Sequence, residues 1–555
     1  MSRRRQRKVQ QQSSTSLLKE TKENDDHISS ITQLWTLPRT TLLLITPILT
    51  STTLQISPRY IEPVYGNVFS SIYFLQTAFA SILLGISIGI GFVIKSKENS
   101  PTIKDQKLAK TLIFGIDLCG IILALSPLNI KMLFGLSDML GPYIGPHVTQ
   151  LGLAYPTMFL LGFLNTIACA SLSREQNLPV LRWVSYIAMH ITITKTLTYV
   201  LYNVVDIGQT CHRLCYSGLI MALIGTLFKF LLQNYGEINL VEDIVQRHKI
   251  LVETSLSFKL RFASFLLLPQ IIIILLVIYN ANFNPHCNSG MLQKTIVNGT
   301  EYTILARNES ITGWIEVVEE IKPRNIRVMR VGHSLIGGIY RDTNDSVFGS
   351  FYFLEAVRLI KNRKKSEQER ALQIGLGIGV SSKSLQDHNV LLDIVELDPV
   401  VYNFAVNYFG LEPKHNIYIQ DGRKFINNAP SQYYDYVLHD VFTGGSVPSV
   451  LFSIEALEQI KRILKENGVL ALVFFASDRS ISFRNPTYED FMDSAMREYM
   501  LGSFTQWSVD LTKFKNVTNI ITDLRNPLDE LQQLSAFEHW NVMRTIFPQE
   551  FWINF

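Results

Sequence analysis

Between residues 40 and 280 the chain runs through seven long apolar segments, at about 40–56, 67–94, 110–127, 147–171, 181–205, 214–233 and 262–280. Several reach the roughly 20 residues that cross a hydrocarbon layer. The stretches from Ser81 to Ile94 and from Ile271 to Ile278 have no polar face, and a helix packed on a soluble core would need one. These runs predict an all-α transmembrane bundle of about seven spans, over residues 36–282. With 555 residues, the chain has room for at least one further domain.

Charge sets the expected orientation. Lys and Arg in the loops on one side number 12: five in 95–110, two in 172–182, and Lys229, Arg247, Lys249, Lys259 and Arg261. The opposite loops hold three, Arg59, Lys131 and Arg213. The positive-inside rule then puts the N-terminus in the cytoplasm, and seven spans would put everything after residue 280 on the non-cytoplasmic side. The sequons Asn298-Gly-Thr and Asn308-Glu-Ser fall just after the last segment, as that side would allow. The basic start (Arg3, Arg4, Arg5, Arg7, Lys8) opens a polar tail, residues 1–35, that is expected to be disordered and is not a signal peptide. A net charge of +4 is too small to imply nucleic acid. The five cysteines suggest neither a zinc site nor a disulfide framework. Asp117, His190 and Lys195 lie at membrane depth, where Asp117 with Lys195 would make a buried pair or a polar pathway.

From residue 311 the pattern changes. Trp314–Val318 and Ile326–Val331 read as short strands of a small β element, with Leu335–Tyr340 a turn or strand. A helix over 351–360 and a charged linker follow. Strands and helices then alternate: strands 371–375, 391–396, 416–420, 434–439 and 468–475, with helices 379–386, 399–408, 422–427 and 453–466 between them. That spacing predicts βαβ units on a parallel sheet. A helix at 488–499 and strands near 503–510 and 517–523 would close it.

Chemistry gathers at the strand ends. The first strand runs into a turn with Gly375, Gly377 and Gly379, which lets a ligand lie against bare backbone. The second ends on Glu396, 17 residues after Gly379, an acid placed to accept hydrogen bonds from ribose hydroxyls. Asp421 and Asp440 end the third and fourth. Each acid alone could be a helix cap; the ordered set describes a nucleoside site.

The glycine loop, Val395-Glu396-Leu-Asp398-Pro, Gln420-Asp421-Gly422-Arg and Tyr434-Asp435-Tyr-Val-Leu-His-Asp440 resemble the spermidine synthase family of polyamine aminopropyltransferases, on a Rossmann-like methyltransferase fold. The resemblance covers about a third of the chain and is closest to membrane-fused members. It implies a domain over 311–555 and an adenosyl-sulfonium co-substrate, S-adenosylmethionine or its decarboxylated form, with no metal. The glycines and Glu396 would hold that donor, Asp421 would contact adenine, Asp440 would activate the attacking amine, and Tyr352 would position it. The implied partners are the lipid bilayer and an amine or polyamine acceptor, with no nucleic acid; a homodimer is compatible with it. His439 alternates away from Asp440 and reads as structural.

Three departures bear on mechanism. The family's acid within the glycine loop is Ile378 here, its second acid after Asp440 is Thr443, and its glutamine after the tyrosine is Phe353. An ammonium needs nearby carboxylates to offset its desolvation, so these losses weaken a polyamine more than a nucleoside. The expected activity is a membrane-anchored transferase acting on an amine or other small acceptor. The alternatives are a methyltransferase, a non-catalytic nucleoside-binding module, or a transporter half coupled to a sensing domain.

Overall fold

The computed structural model describes residues 41–95, 101–172, 193–196, 210–234, 267–284, 287, 294–297, 299–348, 368–441 and 448–472, with parts of 351–358 and 540–553. Its N-terminal part is helical. The first helix spans 41–71; then come Phe74–Lys95, Pro101–Phe134, Ser137–Gln150, Ala154–Leu172, Thr210–Asn234 and Leu268–Phe283. Among the described residues, four helical stretches are long and apolar enough to cross a membrane: Phe74–Lys95, Lys107–Phe134, Ser137–Cys169 and Thr210–Phe230. Leu268–Phe283 is apolar but shorter. Seven spans were expected from the sequence. Most of the segment at 181–205 lies outside the described residues, and the segment expected at 147–171 is divided between two helices near Leu151.

Small residues set the closest helix contacts. A Cβ on Gly85 would sit 2.0 Å from the Phe159 carbonyl oxygen, and one on Gly162 would sit 2.5 Å from that of Ile82. Without side chains at these positions the two backbones can touch, as helix pairs in lipid do.

Two expectations change here. Asp117 does not pair with Lys195, which is exposed. Its Oδ2 accepts from Lys229 Nζ at 2.6 Å and its Oδ1 from Gln270 Nε2 at 2.7 Å, while Lys229 also donates to Gln270 Oε1 at 3.1 Å. Lys229, counted above as a loop cation, is thus inside the bundle, joining three helices through one satisfied polar cluster. His190 lies outside the described residues. The second change concerns cysteine: Cys211 and Cys287 form a disulfide, Cα–Cα 5.2 Å. Spacing could not reveal it, because the partners lie 76 residues apart, at the start of one helix and just beyond the end of another.

The sheets begin earlier than residue 311. β1 (Lys294–Val297), β2 (Thr300–Ser310), β3 (Gly313–Glu320), β4 (Ile326–Val331) and β5 (Ser334–Tyr340) form an antiparallel meander in sequence order. β2 escapes a hydropathy reading because its buried positions include Arg307. That guanidinium meets Glu316 at 2.6 Å, and Glu316 meets Arg330 at 2.9 Å, all three buried.

The second sheet is parallel: β6 (Arg370–Ile374), β7 (Leu391–Glu396), β8 (Asn416–Ile419), β9 (Tyr434–His439) and β10 (Leu464–Leu472), in the order β10-β9-β6-β7-β8. Helices Val380–Asp387, Pro399–Phe409, Gly422–Asn428 and Ile454–Ile463 connect them. Alternate residues of each strand feed two cores: Ala371 and Leu438 one face, Leu372 and Val437 the other. This is the parallel α/β sheet expected from the alternation, in the methyltransferase-like form that the resemblance implies. The helix expected at 488–499 and the strands near 503–510 and 517–523 lie outside the described residues, as does the tail to residue 35.

The strand order reverses between β6 and β9. A crevice opens at such a switch point beyond the carboxyl ends of the strands.

Candidate active site

The crevice holds a cavity of about 280 Å³, near the lower end of small-ligand pockets. Gly375, Gly377, Glu396, Asp421 and Asp440 line it, so the strand ends bring together five of the residues singled out from sequence. Gly379 does not line it; with φ 82° it is the left-handed N-cap of the helix Val380–Asp387. Tyr352 lies outside the described residues.

The glycine loop is demanded by its neighbours. Gly375 has φ 78°, and a Cβ there would fall 2.0 Å from the Asp440 carbonyl oxygen. Gly377 has φ 56°, with the Ile336 carbonyl 2.9 Å from where its Cβ would be. The loop is pinned between the end of β9 and the antiparallel sheet, and its bare backbone faces the cavity.

The three acids are held differently. Glu396 accepts from Leu376 N (Oε2, 2.9 Å) and from Asp398 N (Oε1, 2.9 Å), tying the glycine loop to β7. Burial pushes its carboxyl up to about 7, against the pull of those backbone N–H groups. Each oxygen keeps a lone pair for a ligand hydroxyl. Asp421 is a helix cap as well as a cavity residue: its Oδ1 accepts from Arg423 N and Lys424 N. Asp440 has no side-chain partner among the described residues, and burial raises its carboxyl to about 6. His439 is structural, as expected. It is fully buried, its Nε2–H donates to the Leu451 carbonyl at 3.1 Å, and burial lowers it to about 4.

Ile378, where the family carries an acid, does not line the cavity. It is buried with Ile315, Val317, Met329 and Ile339, in contact with the backbone at Gly337. The position has become an apolar clamp between the glycine loop and the antiparallel sheet.

One wall of the cavity was not anticipated from sequence. Glu62, Gly66 and Asn67 of the first helix line it, together with His333 of the β4–β5 turn. Gly66 takes φ 78°, a left-handed step that interrupts the regular helix. The carbonyl of Pro63 accepts from His333 Nδ1 at 3.2 Å, and that of Val64 accepts from Trp540 Nε1 at 3.0 Å. Burial raises the Glu62 carboxyl to about 7, opposed by the charge of Arg59. The Pro63-Val-Tyr-Gly66 sequence just after Glu62 was the available signal.

Residues 354–499 match the spermine/spermidine synthase domain. Over 89% of this chain and 93% of the relative, the sequence is 28% identical to the N-terminal histidine N-methyltransferase of Emericella nidulans. It is 33% identical to the polyamine aminopropyltransferase of Vibrio vulnificus, over 27% of this chain and 51% of that one. Among solved structures, the probable spermidine synthase of Corynebacterium glutamicum is 18% identical over 32% of this chain and 63% of that one, with a TM-score of 0.26.

Proposed function

With a spermine/spermidine synthase domain in its C-terminal region, we propose that this chain is an S-adenosylmethionine-dependent methyltransferase whose acceptor is the histidine at the N-terminus of a peptide or protein. The single observation that carries the reading is the alignment with an N-terminal histidine N-methyltransferase along nearly the whole chain, helical part included. The aminopropyltransferase likeness covers about half of those relatives. The apolar role of Ile378 agrees, because it leaves the glycine loop without the acid that the resemblance pairs with a donor amine.

The residues fit an adenosyl donor. Gly375 and Gly377 would cradle it, Glu396 would take the ribose hydroxyls, and Asp421 would face the base. The donor supplies a methyl on a sulfonium, a good leaving group. The protein's part is to hold the acceptor nitrogen in line with that carbon and to take its proton. Asp440 would take the proton that the acceptor nitrogen must shed to present its lone pair, and the sulfonium would leave as the neutral thioether once its methyl is transferred.

The helical part would anchor the domain in a membrane. The Cys211–Cys287 disulfide favours a non-cytoplasmic location for the sheets, since disulfides persist in oxidising compartments; the loop charges, eleven against three with Lys229 inside the bundle, agree for an odd number of spans.

The test is mass spectrometry on purified full-length protein with S-adenosylmethionine and a peptide beginning with histidine. One added methyl group on the first residue is the expected result. No methylation, with aminopropyl transfer from the decarboxylated donor to a polyamine instead, would replace this reading with the aminopropyltransferase one.

A further inference from the structure

We propose that Glu62, on the first helix, is the acceptor-binding carboxylate of the transfer site and holds the free α-ammonium of the substrate's N-terminal residue. This deepens the functional reading above and rests on it.

The cavity's charge is one-sided. Glu62, Glu396, Asp421 and Asp440 all line it, and His333 is the sole basic residue among its described lining residues. Burial has already raised three of those acids toward neutrality. A site of this kind gains by taking up cations, because an ammonium or sulfonium offsets the desolvation of the carboxylates.

The four acids are not interchangeable. Glu396 is fixed to the glycine loop by two backbone N–H groups. Asp421 caps a helix. Asp440 follows the switch-point strand β9, opposite the glycine loop, where proton removal belongs. Glu62 alone comes from outside the parallel-sheet domain. It makes no hydrogen bond or ion pair among the described residues, and its carboxylate lies against Gly313 and Gly332, where a Cβ would stand 3.3 Å from Oε2 and Oε1 respectively. Two positive-φ glycines thus make room for a carboxylate that feels the charge of Arg59 but is held by no hydrogen bond or ion pair among the described residues. One turn further on, Asn67 presents a buried Oδ1 with no hydrogen-bond partner, also in the cavity wall. A helix that offers an unengaged carboxylate and an unengaged amide oxygen to one pocket is built for a donor-rich group. An α-ammonium carries three N–H donors and belongs to the same residue as an N-terminal imidazole.

The experiment uses full-length protein and measures equilibrium binding of a histidine-initiated peptide, its Nα-acetylated form and S-adenosylmethionine. Glu62→Gln is expected to weaken the free peptide 10-fold or more while leaving donor affinity within twofold. Nα-acetylation should cost the wild type a similar factor and cost Glu62→Gln little more. Equal peptide affinity in Glu62→Gln and wild type overturns the proposal alone. Peptide binding without methyl transfer overturns the functional reading alone, and absence of peptide binding by the wild type overturns both. Should Glu62→Gln lose donor binding through misfolding, the wild type decides by itself: equal affinity for free and acetylated peptide overturns the proposal.

Discussion

At the scale of single residues, the proposed function gives binding and chemistry to different acids. Asp440 has no side-chain partner among the described residues and a carboxyl raised to about 6 by burial. Glu396 spends its charge on two backbone N–H groups. Asp440→Asn should therefore keep donor affinity and lose about 10²–10⁴-fold in turnover, the usual range for a positioned proton acceptor. Isothermal calorimetry and a single-turnover assay check the two halves. The pH dependence has a definite sign. The acceptor of the proton must be ionised, so activity is present above the Asp440 pKa and falls as pH drops through about 6. Glu62, Glu396, Asp421 and His333 line the same cavity, where their charges would bear on binding, so the limb should be read from kcat with both substrates saturating. A limb near 6 that persists in Asp440→Asn would assign the proton elsewhere.

Among elements, the parallel sheet was the legible part. Its strands alternate with helices at βαβ spacing, so their positions and the acids at their ends could be read directly. The antiparallel meander was only half legible. β2 hides its inward face behind the Arg307–Glu316–Arg330 ion pairs, and no apolar period reports a buried arginine. Ile378 shows a further limit. Its loss of charge was visible in the sequence, but its role as a clamp appears only once Gly337 lies against it. This predicts the fate of the family-like substitution. Ile378→Asp should put an unpaired carboxylate among Ile315, Val317, Met329 and Ile339 and cost about 3–5 kcal/mol of stability, without creating a polyamine site. Thermal unfolding with and without donor is the check. A stable variant that gains aminopropyl transfer would mean that the side chain at 378 can reach the cavity.

In the whole molecule, the helical part and the sheets share one site. The C-terminal segment joins them: Trp540 Nε1 donates to the Val64 carbonyl, Arg544 donates to Asp138 at 2.8 Å, and Phe547, Phe551 and Trp552 pack on Tyr302 and the antiparallel sheet. Such contacts couple positions more than 400 residues apart, which no local pattern encodes; hence Glu62 could not be assigned from sequence. They also mean that the first helix and the transferase domain must meet on one side of any membrane. The Cys211–Cys287 disulfide joins the start of one helix to a residue just beyond the end of another, which favours the oxidising side. Asn308 is exposed on β2 within its Asn-Glu-Ser sequon, so on that side it is open to glycosylation. Full-length protein expressed in a secretory-competent eukaryotic cell should then run faster on a gel after glycosidase treatment, and Asn308→Gln should remove part of that shift. An unshifted protein with both sequons intact, together with reaction of Cys211 with a thiol reagent in intact cytosol-facing vesicles, would put the sheets in the cytoplasm and require an even number of spans before them.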